Sequence, residues 1–244
     1  TPLRTTPLSL WLIVELLALG AVGGLLAGML GVGGSAVMVP FLTIILSKRG
    51  VDADLSVKMT IATAMATVLF TSLSSMRAHH KRGNVRWDIV RRMAPGIALG
   101  GLAAGAGVFA VVKGNALAIV FALFTGFSAT QILRDRKPKA SRQLPGAAGQ
   151  MAAGGGIGFI SGLVGVGGGF ASVPYMSWCN VPMHNAVATS AALGFPIALA
   201  NTAGYVISGW SQPSALPGSL GFVYLPALAV RMLGVGEEVG ALDT

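Results

Sequence analysis

The chain has one cysteine, Cys179, in 244 residues. A single thiol excludes an internal disulfide and any multi-cysteine metal site. Charge is also scarce. Asp, Glu, Lys and Arg make up 10% of the residues, against about 25% in a soluble domain. So few charges cannot cover a surface that faces water. Acids are the rarer sign, 8 against 17 Lys and Arg. The basic excess does not mark a nucleic-acid binder, because the basic residues cluster in short loops between apolar runs and are not interleaved with aromatics. No H-E-x-x-H, P-loop or nucleophile elbow occurs. Gly105–Ala110 matches G-x-G-x-x-A, but inside an apolar span with no strand before it. Nothing points to an enzyme or to a cofactor.

What is abundant is apolar length. Hydrophobic residues are 53% of the chain and the mean hydropathy is +0.73. The uncharged runs Met59–Met76, Met93–Val112, Asn115–Leu133 and Ala186–Ile207 approach or reach the roughly 20 residues that cross a hydrocarbon core of about 30 Å. The sequence therefore predicts an all-α, polytopic helical membrane protein, with the lipid bilayer as its solvent.

Glycine is the other abundance, and it is patterned. Residues 24–40 read GLLAGMLGVGGSAVMVP and residues 158–174 read GFISGLVGVGGGFASVP. Gly24, Gly28, Gly31, Gly33, Gly34 and Pro40 fall on Gly158, Gly162, Gly165, Gly167, Gly168 and Pro174. This is an internal repeat. Its glycine strings, Gly31–Ser35 and Gly165–Gly169, cannot hold a regular helix well, since each Gly costs up to ~1 kcal/mol relative to Ala. The apolar pieces that follow, Ala36–Leu46 and Phe170–Trp178, are too short to span. Eleven helical residues reach roughly 16 Å, about half a membrane. The prediction is a broken or re-entrant helix pair in each copy, followed by spanning helices.

The chain divides accordingly. Residues 1–133 form a first repeat, with a re-entrant hairpin at 10–46 and three spans. Residues 134–149 are a basic linker. Residues 150–244 form a second repeat. Gly221-Phe222-Val223 echoes Gly83-Asn84-Val85, and Ala188-Thr189-Ser190 echoes Ala62-Thr63-Ala64. The correspondence stops near residue 230, so the second repeat reads as incomplete. The basic loops 77–86 and 134–142 lie on one side, which by charge bias is cytoplasmic. The three spans after the first hairpin, an odd number, invert the second copy relative to the first. Inverted repeats with broken helices meeting near the midplane are a recurring design of secondary transporters.

A half-helix start presents free N–H groups and a positive dipole end, and glycine removes side chains that block approach. Two such starts facing each other suit a small anion. The candidate substrate-binding residues are Gly31, Gly33, Gly34, Ser35, Gly165, Gly167, Gly168 and Gly169. Thr63, Thr189, Ser190 and Asn201 add neutral hydrogen bonds. The competing reading is that the glycines serve helix packing. Glu15, an acid within a span, is a candidate for carrying a coupling proton. Lys58 and His184, at matching positions, read as interface residues whose heads reach water.

The duplicated G-x-x-x-G-x-x-G-V-G-G-…-V-P, the Ala188-Thr189-Ser190 stretch, Gly83–Trp87 and Gly218–Val223 resemble the TauE/SafE sulfite exporter family of bacterial membrane proteins. The resemblance covers about residues 10 to 230. It implies an inner-membrane permease that moves sulfite, sulfoacetate or related anions by proton-linked or gradient-driven exchange. Two alternatives stay open at this level: a transporter of the same fold for an unrelated solute, and a truncated paralogue that does not transport.

Overall fold

The computed structural model describes residues 35–48, 50–133, 143–210 and 218–229. Among them the chain is almost wholly helical. In order run α1 (Ser35–Lys48), α2 (Ala53–Lys81), α3 (Trp87–Val111), α4 (Gly114–Leu133), α5 (Ala147–Val164), α6 (Gly169–Trp178) and α7 (Met183–Gly209). A small antiparallel hairpin follows, β1 (Ser219–Leu220) and β2 (Val223–Tyr224). Residues 225–229 return to helix. Helices α2, α3, α5 and α7 are long and apolar enough to cross a membrane. Helix α4, at 20 residues, reaches about 30 Å at 1.5 Å per residue. The protein is a multi-pass helical membrane protein, as its composition requires.

The helices outrun the apolar windows that predict them. Helix α2 starts at Ala53, where the Asp52 carboxylate accepts from the Asp54 amide at 2.9 Å. It continues through Arg77, His79, His80 and Lys81. Half of the expected basic loop 77–86 is therefore helix, and the connection narrows to residues 82–86. A scan for apolar residues stops at the first charge. The backbone does not stop, because basic side chains in a last turn complement the negative helix end. Helix α1 likewise begins one residue before the expected Ala36–Leu46 and ends at Lys48. The linker 134–142, the residues before 35 and those after 229 lie outside the described residues.

Glycine decides which helices touch. Helices α3 and α5 pack backbone to backbone. A Cβ on Gly96 would run into the Met151 carbonyl, and one on Gly100 into that of Gly155. From the other side, Gly154 faces the Met93 carbonyl and Gly158 that of Ile97. These positions recur at helical spacing on both partners, the small-residue seam by which spans approach closely in lipid. Helix α3 continues the seam onto α7. Its Ala103–Val108 stretch widens into a π turn, in which the Phe109 amide reaches the Ala104 carbonyl. Gly105 there lies against Gly204, each leaving no room for a side chain on the other. By contrast, α4 turns Ile119, Leu123 and Phe127 outward, each more than half exposed. That face suits lipid.

Helices α2 and α7 form the second main contact and run antiparallel. Ser72 meets Gly194 near their middles. The turn after α2 reaches the start of α7, where Asn185 Nδ2 donates to the Asn84 carbonyl at 2.8 Å. The hairpin after α7 packs back on the first half, with Phe222 in edge contact with Phe109 at 5.7 Å.

Candidate functional site

The second glycine string breaks the helix where expected. Helix α5 ends at Val164, and Gly165 takes the left-handed conformation, φ +73°. That region suits glycine, and a residue there commonly terminates a helix. The Gly165 amide closes on the Ser161 carbonyl at 2.8 Å. Helix α6 then starts at Gly169 and lasts 10 residues, about 15 Å. The break is wedged between α2 and α7. Gly165 lies against Ile61, Gly167 against Val68 and Gly168 against Ile197.

Hydroxyls gather at the start of α6. Ser172 Oγ is 2.7 Å from the Gly168 carbonyl and 2.7 Å from Ser190 Oγ. Both serines are buried. One side chain thus ties the α6 start to α7. Ser190 Oγ is also the neighbour that a Cβ on Gly169 would meet, at 3.6 Å. Gly169 is the position of the break whose free side faces a polar group.

Asn201 sits farther along α7, fully buried where α3, α5 and α7 cross. Its Nδ2 donates to the Ile197 carbonyl at 2.8 Å and reaches the Gly158 carbonyl at 3.4 Å. Both neighbours are acceptors, so the amide orientation is set and Oδ1 points toward Gly162. Oδ1 has no hydrogen-bond partner among the described residues. A buried acceptor left unpaired costs about 1–3 kcal/mol. One turn on, the Tyr205 hydroxyl donates to the Gly162 carbonyl, and its ring meets that of Phe109 at a 44° tilt, centroids 4.3 Å apart.

The two threonines are engaged elsewhere. Thr63 Oγ1 donates to the Met59 carbonyl at 2.6 Å and accepts from the Tyr224 amide at 3.0 Å. Thr189 Oγ1 accepts from the Arg86 amide at 3.0 Å. The structure therefore brings Gly165, Gly167, Gly168, Gly169 and Ser190 together, puts Asn201 beside the same α5 segment, and puts Thr63 and Thr189 against the turns of the opposite half. Ser35 opens α1. Gly31, Gly33, Gly34 and Glu15 lie outside the described residues.

Several participants carry no sequence signal. Ser172 looks like any small residue in an apolar run, and Tyr205 like a core aromatic. Lys58 is held by polar groups near the start of α2. It is buried, pairs with Asp54 at 3.2 Å and donates to the Ala110 carbonyl at 3.4 Å, near the end of α3. Asp54 in turn accepts from the Gly114 amide. The Asp54 side chain is partly exposed, so the pair keeps a way to water.

A bundle of membrane-length helices around a glycine-broken helix is an architecture of membrane transport proteins. Comparison with known proteins agrees. The family model described as sulfite exporter TauE/SafE matches residues 16–241, beyond residue 230 where the internal correspondence stops. A probable membrane transporter protein of Haemophilus influenzae is 31% identical over 217 residues, 88% of this chain and 82% of its own. One of Methanocaldococcus jannaschii is 26% identical over 234 residues, 91% of this chain and 87% of its own. A third, from Bacillus subtilis, is 27% identical over 230 residues, 84% of each chain. No solved structure matches the chain. The chain belongs to the TauE/SafE sulfite exporter family, and it is a membrane transporter.

Proposed function

We propose that the protein is a secondary transporter of small sulfur-containing anions, such as sulfite or sulfoacetate, across the bacterial inner membrane. Its substrate site lies near the midplane and is formed by the two glycine breaks. The observation that carries this reading is the break itself. A left-handed Gly165 ends α5, a half-membrane helix starts at Gly169, and buried hydroxyls stand beside that start. Helix starts leave their first amides without an intrahelical acceptor and carry a positive dipole end, so an anion is the ligand they favour. Ser190 supplies the side-chain hydrogen bond and Asn201 the polar boundary toward α5. Helix α1, which starts at Ser35, supplies the matching start from the first half, next to Gly31, Gly33 and Gly34. The two repeats are inverted, with loops 77–86 and 134–142 cytoplasmic, and Glu15 is the candidate for proton coupling. The crossing contacts of α2 and α7 support the inversion, because each helix is met by the turn that follows the other.

Flux of radiolabelled sulfite and sulfoacetate into proteoliposomes tests this. Uptake of at least one, competed by the other, is expected. Ser190→Ala should raise KM about tenfold or more, since a hydrogen bond to a charged group is worth about 1.5–3 kcal/mol. Absence of flux for both anions sinks the substrate assignment. Flux with an unchanged KM in Ser190→Ala sinks the site.

A further inference from the structure

Thr63 and Thr189 hold turns, and they do so reciprocally. The Gly83–Arg86 turn follows α2 but is bound by Thr189 of α7, whose Oγ1 accepts from the Arg86 amide at 3.0 Å. The Gly221–Tyr224 turn follows α7 but is bound by Thr63 of α2, whose Oγ1 accepts from the Tyr224 amide at 3.0 Å. The two turns share a sequence pattern, and each begins on a glycine with positive φ, +69° at Gly83 and +58° at Gly221. Both threonines are fully buried. Thr63 spends its proton on the Met59 carbonyl, so its lone pairs face the Tyr224 amide and a hydroxyl is needed there for its acceptor. Because α2 and α7 run antiparallel, the two bonds lie at opposite ends of their contact. Each end is sealed by an apolar residue of the bound turn: Val85 at the Thr189 end and Val223 at the Thr63 end, both buried.

We infer that Thr63 and Thr189 are paired latches that close the two ends of the α2–α7 contact. Releasing one latch frees that end while the other becomes the pivot. The two halves are then poised to rock about their shared contact, one end opening as the other stays shut. The use of this motion in transport rests on the transporter reading above. The latches themselves are read from the exchanged turns, and accessibility detects them without any flux.

The test uses two reporter cysteines, Val85→Cys and Val223→Cys, each introduced singly into the full chain carrying Cys179→Ser. Labelling by a membrane-permeant maleimide is followed in membranes. Thr63→Val should speed labelling at position 223 and slow it at position 85, each by about fivefold, the worth of one net hydrogen bond spread over a two-state equilibrium. Thr189→Val should do the reverse, and the double variant should return both rates toward their starting values. Thr63→Ser and Thr189→Ser keep the acceptor oxygen and should leave both rates unchanged. Gly83→Ala offers a second route to the Thr189 end, because it strains the turn while the added methyl meets nothing within 4 Å. It should match Thr189→Val even where that variant does not accumulate. Faster labelling at the mutated end with no slowing at the other end overturns the inference, since that is local loosening. Faster labelling at both ends overturns it as well. Reciprocal labelling without sulfite or sulfoacetate flux would keep the latches and discard the substrate.

Discussion

Helices α2 and α7 correspond in sequence and satisfy their polar groups in different ways. Helix α2 carries a ladder of hydroxyls that bond within the helix. Thr63 donates to the Met59 carbonyl, Thr67 to that of Thr63 at 3.0 Å, and Thr71 to that of Thr67 at 3.3 Å. Helix α7 reaches outward instead. Ser190 meets Ser172, Asn201 reaches the Gly158 carbonyl and Tyr205 donates to the Gly162 carbonyl. All three partners lie on the helices that flank the Gly165 break. A hydroxyl that bonds its own helix is solvated wherever that helix goes. One that bonds a neighbour fixes where the neighbour sits. Helix α7 therefore positions the break of its own half, while α2 bonds mostly within itself, apart from the Tyr224 amide that Thr63 holds.

The strongest way to break this arrangement is to part α5 from α3. Gly100→Leu places a side chain where the Gly155 backbone lies. It should cost about 3 kcal/mol or more. The loss would appear as reduced protein in the membrane and a lower melting temperature in detergent. A near-native melting temperature would show that the α3–α5 seam tolerates separation. Next comes the break. Gly165→Ala forces a Cβ into left-handed backbone and against Ile61. A loss of about 2 kcal/mol is expected, from conformation and contact together.

Asn201→Leu separates stability from function. It removes a donor to two carbonyls and also an unpaired buried oxygen, so the change in melting temperature should be small, within about 1 kcal/mol. Flux should fall tenfold or more if Asn201 bounds the substrate site. Equal small effects on both would assign Asn201 to packing. The smallest effect belongs to the ladder. Thr71→Val deletes a hydroxyl that serves its own helix, and both stability and flux should stay within about 0.5 kcal/mol of wild type. A large effect there would erase the contrast between α2 and α7.

Much of this was legible from residue order. The helix break at Gly165–Gly169 was readable because glycine acts locally: it weakens a helix whatever surrounds it. The half-helix after it was readable as length. Helix ends were less so. Charged residues end an apolar window without ending a helix, which is why 77–81 belongs to α2. The candidate site was legible in part. Ser190 and the second glycine string come together, as their shared small and polar character suggested. Thr63 and Thr189 had the same character and went to the turns of the opposite half, because their hydroxyls are the acceptors those amides find. Ser172 was invisible, since a serine in an apolar run has no meaning until its neighbour is known.

Composition and residue order alone determined the solvent, the helical class and the position of the break. Those follow from transfer energies and backbone freedom, which each residue carries with it. The tertiary structure decided what each polar side chain bonds to and which helices meet. Those depend on partners distant in sequence, such as Tyr224 for Thr63 and Gly158 for Asn201. A hydrogen bond needs its acceptor within about 3 Å and in line, and only the folded chain supplies that.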